Sequence, residues 1–115
     1  MAIVVASGVT LSLTTGLKSA DQVTGRNQYV GKGRLQVCAR SSAAAATGIR
    51  STINVGGVAL VDDQLVPYSG TTGALSVRDH MLIDQVVAGG RVEAFFRNDS
   101  AGTLTVDYLI LFTPM

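Results

Sequence analysis

The chain has 115 residues, the usual size of one domain, and 15% of them are charged. An average soluble domain has about 25% charged residues. Nine Lys and Arg face eight Asp and Glu, and the net charge of +1 argues against binding of nucleic acid through a basic stripe or tail. The lone Cys38 cannot form an intrachain disulfide.

Few charges and 47% hydrophobic residues leave little ionic surface for an isolated monomer. We therefore expect part of the surface to be buried against copies of the chain or against a partner protein. A monomer with an apolar surface rich in Thr and Ser is the alternative. No run approaches the roughly 20 apolar residues of a membrane helix. Residues 1–8 hold no Lys or Arg, which argues against a signal peptide or a basic arm. We therefore expect the chain to be used in the cytoplasm, where it is made, or to be carried from there inside a particle.

β-branched residues dominate the composition, with 15 Val, 5 Ile and 11 Thr. Apolar residues do not keep a helical period for three turns, and the Ala-rich run 41–46 is interpreted as a loop or a single turn. Alternation with a period of two instead predicts an all-β chain, with residues 1–115 in one antiparallel β-sandwich domain. Eight or nine short strands are expected, at about 3–6, 9–15, 33–40, 49–55, 58–61, 64–68, 81–87, 91–97 and 103–112.

The alternation assigns one apolar face to each of the longer strands. These faces consist of Val9, Leu11 and Leu13; Leu35, Val37 and Ala39; Ile49, Ile53 and Val55; Val92, Ala94 and Phe96; and Leu104, Val106, Tyr108, Ile110 and Phe112. In the last strand, Leu109 and Leu111 add apolar side chains to the opposite face. We therefore expect that strand to be central in the sandwich or to lie at an interface.

Turn signals separate the strands. The run Val55-Gly56-Gly57-Val58 predicts a tight hairpin, because glycine supplies the positive φ that such turns require. Residues 98–102 are predicted to be a longer hairpin loop that joins the last two strands. Asp62 and Asp63 are predicted to form a turn in which their side chains cap backbone amides. A calcium site there is the less favoured alternative, since calcium takes about six to eight oxygen ligands.

The sequence offers little catalytic chemistry. His80 is the single histidine, which argues against the metal-binding clusters of cupin-type enzymes and zinc hydrolases. Asp79 and His80 are adjacent, so on a strand they would point to opposite faces and would not form a catalytic pair. No Gly-x-Ser-x-Gly motif is present to expose a nucleophile. We predict no enzyme and no catalytic, cofactor or metal site, with His80 at the surface or at an interface.

Nucleic-acid binding is not favoured, but one route to it exists. Arg34, Arg40 and Arg50 could share the solvent face of one sheet and, with Arg91 and Arg97, form a mildly basic patch. The aromatic residues are too few for a platform on which bases stack. The absence of Trp also weighs against a carbohydrate-binding module.

Three runs in roughly the second half of the chain carry a resemblance to known proteins, namely 55–63 (VGGVALVDD), 89–98 (GGRVEAFFRN) and 104–112 (LTVDYLILF). They resemble small single-jelly-roll virion proteins of bacterial viruses. The resemblance implies a jelly roll of eight strands in two packed sheets, self-assembly and no enzymatic activity. It fits a shell-forming coat protein as well as a decoration or minor capsid protein. The missing basic arm favours the second group.

For such a virion protein, the expected partners are further copies of the chain and other capsid proteins. We assign the interface to apolar residues near both termini and to the long loop that begins near residue 68. The assigned residues are Ile3, Val4, Val5, Tyr68, Leu109, Leu111 and Phe112. The alternative function is a homotrimeric β-sandwich module that binds a receptor or a glycan.

Overall fold

The computed structural model describes residues 3–14, 16, 18–23, 28–42, 48–67, 75, 80–100 and 102–115, without the side chains of residues 9 and 10. These residues form eight strands and include no α-helix. The strands are β1 (Ile3–Leu13), β2 (Tyr29–Val30), β3 (Gly33–Ser41), β4 (Ile49–Val55), β5 (Val58–Leu65), β6 (Met81–Val87), β7 (Gly90–Asn98) and β8 (Leu104–Pro114).

The strands form two antiparallel sheets of four strands each. The first sheet has the order β1-β8-β3-β6, and the second sheet has the order β2-β7-β4-β5. The inner faces of the sheets share one hydrophobic core, which confirms the predicted antiparallel β-sandwich. Among consecutive strands only β4 and β5 pair with each other, and every other connection crosses between the sheets.

The core consists of the side chains that alternation assigns to the inner faces. Phe96 of β7 and Tyr108 of β8 meet between the sheets, with ring centroids 5.1 Å apart. Phe96 is fully buried, and burying such a side chain stabilises a fold by about 1.5–3 kcal/mol. The Tyr108 hydroxyl donates a 3.0 Å hydrogen bond to Oε1 of Gln22, so the polar end of this buried ring is satisfied.

Strand β1 replaces two predicted strands, at 3–6 and 9–15. Gly8 lies between the two predicted strands, and glycine usually weakens a strand. A Cβ atom added at Gly8 would lie 2.5 Å from Cε1 of Tyr108, so glycine is needed here because a ring lies against the backbone. Register shifts between Val4 and Ala6 and between Gly8 and Leu11 then allow one strand to run past this position.

Strand β5 likewise replaces the predicted strands 58–61 and 64–68, so the turn expected at Asp62 and Asp63 is wrong. Asp63 has a φ of 54°, a conformation that Asp tolerates better than most residues. Its N–H donates a 3.1 Å hydrogen bond to Oγ1 of Thr52 on β4. The irregular pairing of β4 with β5 therefore absorbs this position as a bulge.

The predicted hairpin between the last two strands is also wrong, because β7 and β8 belong to different sheets. The buried Asn98 holds this crossing. Its Nδ2 donates to the carbonyls of Leu13 at 2.8 Å and Gly102 at 2.7 Å, while its Oδ1 accepts from the Ser100 N–H at 2.8 Å. The two-residue strand β2 was not predicted, because it is too short to show a period.

The hairpin between β4 and β5 is confirmed, with φ values of 60° at Gly56 and 83° at Gly57. This turn packs directly against the start of β7. The Gly56 N–H donates a 3.0 Å hydrogen bond to the carbonyl of Arg91. A Cβ atom at Gly90 would lie 2.6 Å from Cα of Gly56, so the two backbones approach as closely as glycine allows.

We predict that Gly90→Ala lowers the free energy of unfolding by about 1–3 kcal/mol. The new Cβ would clash with Gly56, and the φ of 133° at Gly90 is one that alanine rarely adopts. Gly31→Ala is the control, because a Cβ atom there meets nothing within 4 Å. Urea unfolding followed by circular dichroism measures both variants. Equal stabilities of the two variants would contradict the close approach of Gly90 to Gly56.

Candidate functional site

The first sheet carries apolar side chains on the face directed away from the core. Leu111 of β8 lies opposite Val4 of β1, and Leu109 lies between Ser7 of β1 and Cys38 of β3. Opposed side chains in antiparallel strands are about 4.5–5.5 Å apart at Cβ, so these residues are close neighbours. Val4 is 51% exposed, while Leu109 and Leu111 are half-buried. We refer to Val4, Leu109 and Leu111 as the outer strip.

The other residues of the predicted interface lie elsewhere. Ile3 is 39% exposed at the start of β1, opposite Phe112. Val5 and Phe112 are buried in the core, so in the monomer their side chains are not on the surface. The register shift between Val4 and Ala6 accompanies the inward position of Val5. Tyr68 lies outside the described residues.

The predicted arginine patch is divided between the two sheets. Arg34 and Arg40 lie on β3 of the first sheet, whereas Arg50 lies on β4 of the second, so the expectation of a shared face is wrong. Each of the five arginines in the described strands also has a carboxylate within 4 Å. The pairs are Arg34–Asp84, Arg40–Asp107, Arg50–Asp99, Arg91 with Asp21 and Glu93, and Arg97 with Asp63 and Asp99.

One of these pairs is buried on the outer side of the first sheet. Nη1 of Arg40 lies 3.0 Å from Oδ2 of Asp107, and the side chains are only 7% and 14% exposed. Cys38, two residues earlier on β3, is fully buried, with its Sγ 3.8 Å from Sδ of Met81. Burial raises the pKa of the Cys38 thiol, and the negative charge of Asp84 adds to this effect. This end of β3 is therefore covered on both faces, which alternation alone did not predict.

The second sheet carries a charged depression of about 330 Å³ on its outer face. Asp63, one of its lining residues, accepts two hydrogen bonds from Arg97, at 3.2 Å from Nε and 2.8 Å from Nη2. Asp99 accepts from Nε of Arg50 at 3.0 Å and from Nη1 of Arg97 at 3.5 Å. Lys18 Nζ lies 4.6 Å from the centre of the Phe95 ring, a cation–π contact.

These hydrogen bonds fix the ionisation of the carboxyl groups. The bond from Arg97 holds the pKa of Asp63 below its usual value, and the bond from Arg50 does the same for the pKa of Asp99. On the first sheet, the hydrogen bond from Arg34 lowers the pKa of Asp84. All three groups are therefore charged at neutral pH and act in ion pairs rather than in proton transfer.

The surroundings of Asp62 and Asp63 do not favour the alternative of a calcium site. Both carboxylate oxygens of Asp63 accept hydrogen bonds from Arg97, and Asp62 beside it is exposed. Among the residues described, no group of three or more His, Cys, Asp or Glu side chains is placed to hold a metal ion. His80 precedes β6 and is half-buried, and its carbonyl accepts a 3.1 Å hydrogen bond from the Ala39 N–H.

No protein-family model, curated protein or solved structure matches this chain significantly. The described part of the chain also includes no helix that is long and apolar enough to cross a membrane. Sequence reasoning missed the depression around Asp63, although two signals for it existed. Phe95 was an apolar residue on an otherwise charged face, and Arg50 and Thr52 alternate with core residues on the neighbouring strand.

We predict that Cys38 reacts very slowly with a thiol reagent such as dithionitrobenzoate in the native protein, and fully in denaturant. The reason is that the thiol is buried and its raised pKa disfavours the reactive thiolate. A Ser7→Cys variant provides the matched control, because Ser7 is exposed on β1. One fast-reacting thiol is expected in the variant. Rapid native labelling of Cys38 in the unaltered chain would contradict its burial.

We predict that stability decreases in acid because of Asp63, Asp84 and Asp99. A carboxyl group with a lowered folded-state pKa stabilises the fold above its unfolded value of about 4. That contribution is lost as the pH falls from about 4 through the lowered folded-state value. Asp63→Asn should make stability less dependent on pH in this range, because the amide side chain of Asn does not titrate there. Asn also tolerates the positive φ at this position, so the backbone is not strained.

Urea midpoints at about pH 7, 4 and 2.5 measure this effect for both chains. Asp62→Asn is the control, because Asp62 lies next in sequence, is exposed and belongs to none of the ion pairs described above. Identical pH dependence in the Asp63→Asn variant and the unaltered chain would show that the pair with Arg97 contributes nothing to acid sensitivity.

Proposed function

We propose that this protein is a structural subunit of a virus particle, built on a jelly-roll sandwich and active through protein–protein contacts rather than catalysis. It forms the shell as a coat protein, or it joins the shell as a decoration or minor capsid protein. It is made in the host cytoplasm and resides in the virion. Its partners are copies of itself and other capsid proteins.

The strand pairing is the observation that carries the proposal. β1 pairs with β8, β2 with β7, β3 with β6 and β4 with β5. This is the pattern of one long hairpin ribbon whose turn lies between β4 and β5 and which is folded over into two sheets. The additional pairs β3–β8 and β4–β7 join the folded ribbon into those sheets. A jelly roll of eight strands has this organisation, and viral capsid domains are among the domains that commonly adopt it.

The same fold serves unrelated functions, so the surfaces must argue for assembly. The outer strip places apolar side chains on the solvent face of the first sheet, with Val4 51% exposed. Only 15% of the residues are charged, and the five strand arginines already lie beside carboxylates. A surface of this kind favours contact with protein over contact with nucleic acid.

One observation favours the second candidate, a homotrimeric module that binds a receptor or a glycan. Tyr29 on β2 is 68% exposed and lies opposite Arg91 on β7. Arg91 in turn donates to Oε1 of Gln28 at 3.1 Å and contacts Asp21 at 3.3 Å. An exposed ring beside fixed polar groups is a combination that suits a sugar. This feature is small compared with the outer strip, so assembly remains the first proposal.

We predict that the purified chain forms oligomers or particles and that Leu111→Asp greatly weakens this assembly. The substitution introduces a charge into the outer strip, and burying an unpaired charge at an interface is costly. Light scattering after size-exclusion chromatography, with negative-stain images of each peak, measures the outcome. Val4→Asp tests the same strip at a more exposed residue, where the monomer is less perturbed.

Asn54→Asp is the matched control, because Asn54 lies on β4, on the outer face of the other sheet. Circular dichroism must show that each variant is folded. Closed particles would indicate a coat protein, and a discrete dimer to hexamer a decoration protein. Assembly that survives both outer-strip substitutions would show that the interface lies elsewhere. A trimer that binds glycans and loses them in Tyr29→Ala would support the second candidate instead.

A further inference from the structure

A second apolar feature lies where the two sheets end side by side. β6 is the last strand of the first sheet and β5 the last strand of the second, and a groove of about 290 Å³ runs between them. Apolar residues, glycines and one glutamine line it, with no charged side chain among them. Val58 of β5 is 63% exposed and Val86 of β6 is 55% exposed.

The edge of β6 beside this groove is suited to pairing with another strand. Within the described part of the chain, β6 pairs with β3 alone, so the backbone groups on its other side have no strand partner. The pairing from Ile83 to Val87 is regular, without a bulge. Lys and Pro, which commonly protect an edge, are absent from β6. Its one charge, Asp84, is held by Arg34 of β3 at 2.6 Å.

The neighbouring edge of β5 is less suited to pairing with another strand. Its pairing with β4 is interrupted by register shifts between Ser51 and Ile53 and between Ile53 and Asn54. Asp63 on β5 has a positive φ, and Asp62 and Asp63 carry charges there. Bulges and charges are devices that discourage edge-to-edge pairing. A strand that enters the groove would therefore bind along β6 and pack its side chains against Val58.

We infer that the groove receives strand β1 of a second copy, which pairs with β6 and continues the first sheet from one subunit into the next. β1 is the outermost strand at the opposite end of that sheet, and its 11 residues include no charged residue and no proline. Its two register shifts leave Ala6–Gly8 and Leu11–Leu13 as regular segments for the pairing. An uncharged strand thus meets an uncharged groove, and the one charge of β6, on Asp84, remains paired with Arg34. This inference rests on the proposed function, because it names a contact through which copies assemble.

Strand direction supports the same arrangement. The pairs β1–β8, β8–β3 and β3–β6 are all antiparallel, so β1 and β6 run in opposite directions. A second copy in the same orientation therefore presents β1 antiparallel to β6, and the alternation continues across the boundary. Such a head-to-tail contact uses two different surfaces of each subunit. It can repeat from copy to copy until a ring or shell closes.

The test uses cysteines placed on the two strands. In the variant Ser7→Cys with Val86→Cys, a short bis-maleimide should give a ladder of covalent dimers, trimers and larger species on a denaturing gel. Ser7 and Val86 are exposed on the outer face of the first sheet, where they lie opposite Leu109 and Arg34, and the native Cys38 is buried. Neither single variant should give a ladder. The control pair Asn54→Cys with Val86→Cys should give none either, because Asn54 lies on the second sheet.

Three results would overturn the inference. Dimers from Val86→Cys alone would indicate that β6 pairs with β6 of another copy, and an assembled protein with no ladder would exclude the edge contact. In the second case the proposed function would stand. A chain that stays monomeric in light scattering would contradict self-assembly and thus both proposals. As an independent check, Val86→Lys should raise the concentration needed for assembly about tenfold or more.

Discussion

Everything in this fold depends on the single layer of side chains between the two sheets. The contact of Phe96 with Tyr108 lies in that layer, and both rings are held by strands that alternate strictly between inner and outer positions. Because every second residue is committed to the core, the residues between them form the two outer faces. Core and surface are therefore specified together, and a shift of one residue in register would exchange them.

The two outer faces differ in chemistry. On the second sheet, cations and carboxylates from β4, β5 and β7 pair with one another, as Arg97 does with Asp63. On the first sheet, the central strand β8 presents Leu109 and Leu111, and most of the charge is confined to two ion pairs. The charged face is largely satisfied within the monomer. The apolar face gains most from a partner, which is why assembly is proposed there.

Much of the sandwich could be predicted from the sequence, because alternation is a local signal. The cores of β3, β4, β7 and β8 and the Gly56–Gly57 hairpin were predicted correctly for that reason. The predictions that were wrong concern positions where the conformation is determined by contacts with residues distant in the sequence. Gly8 accommodates the ring of Tyr108, so β1 continues through it as one strand. Asp63 is held by Thr52 and Arg97, so β5 continues where a turn was expected. The burial of Arg40 also depends on a residue far along the chain, Asp107. The groove and the depression are likewise formed by residues that are distant in the sequence.

The position of β8 has a consequence for how the protein is made. It is the last of the eight described strands along the chain, yet it lies between β1 and β3 in the first sheet. Its pairing with β1 joins Phe112 to Ile3, a contact that closes almost the whole chain into a loop and forms slowly. During synthesis, β1 must wait for its neighbour until β8 has left the ribosome. The outer strip takes two of its three residues from β8, so this surface is complete only after β8 has been added to the first sheet.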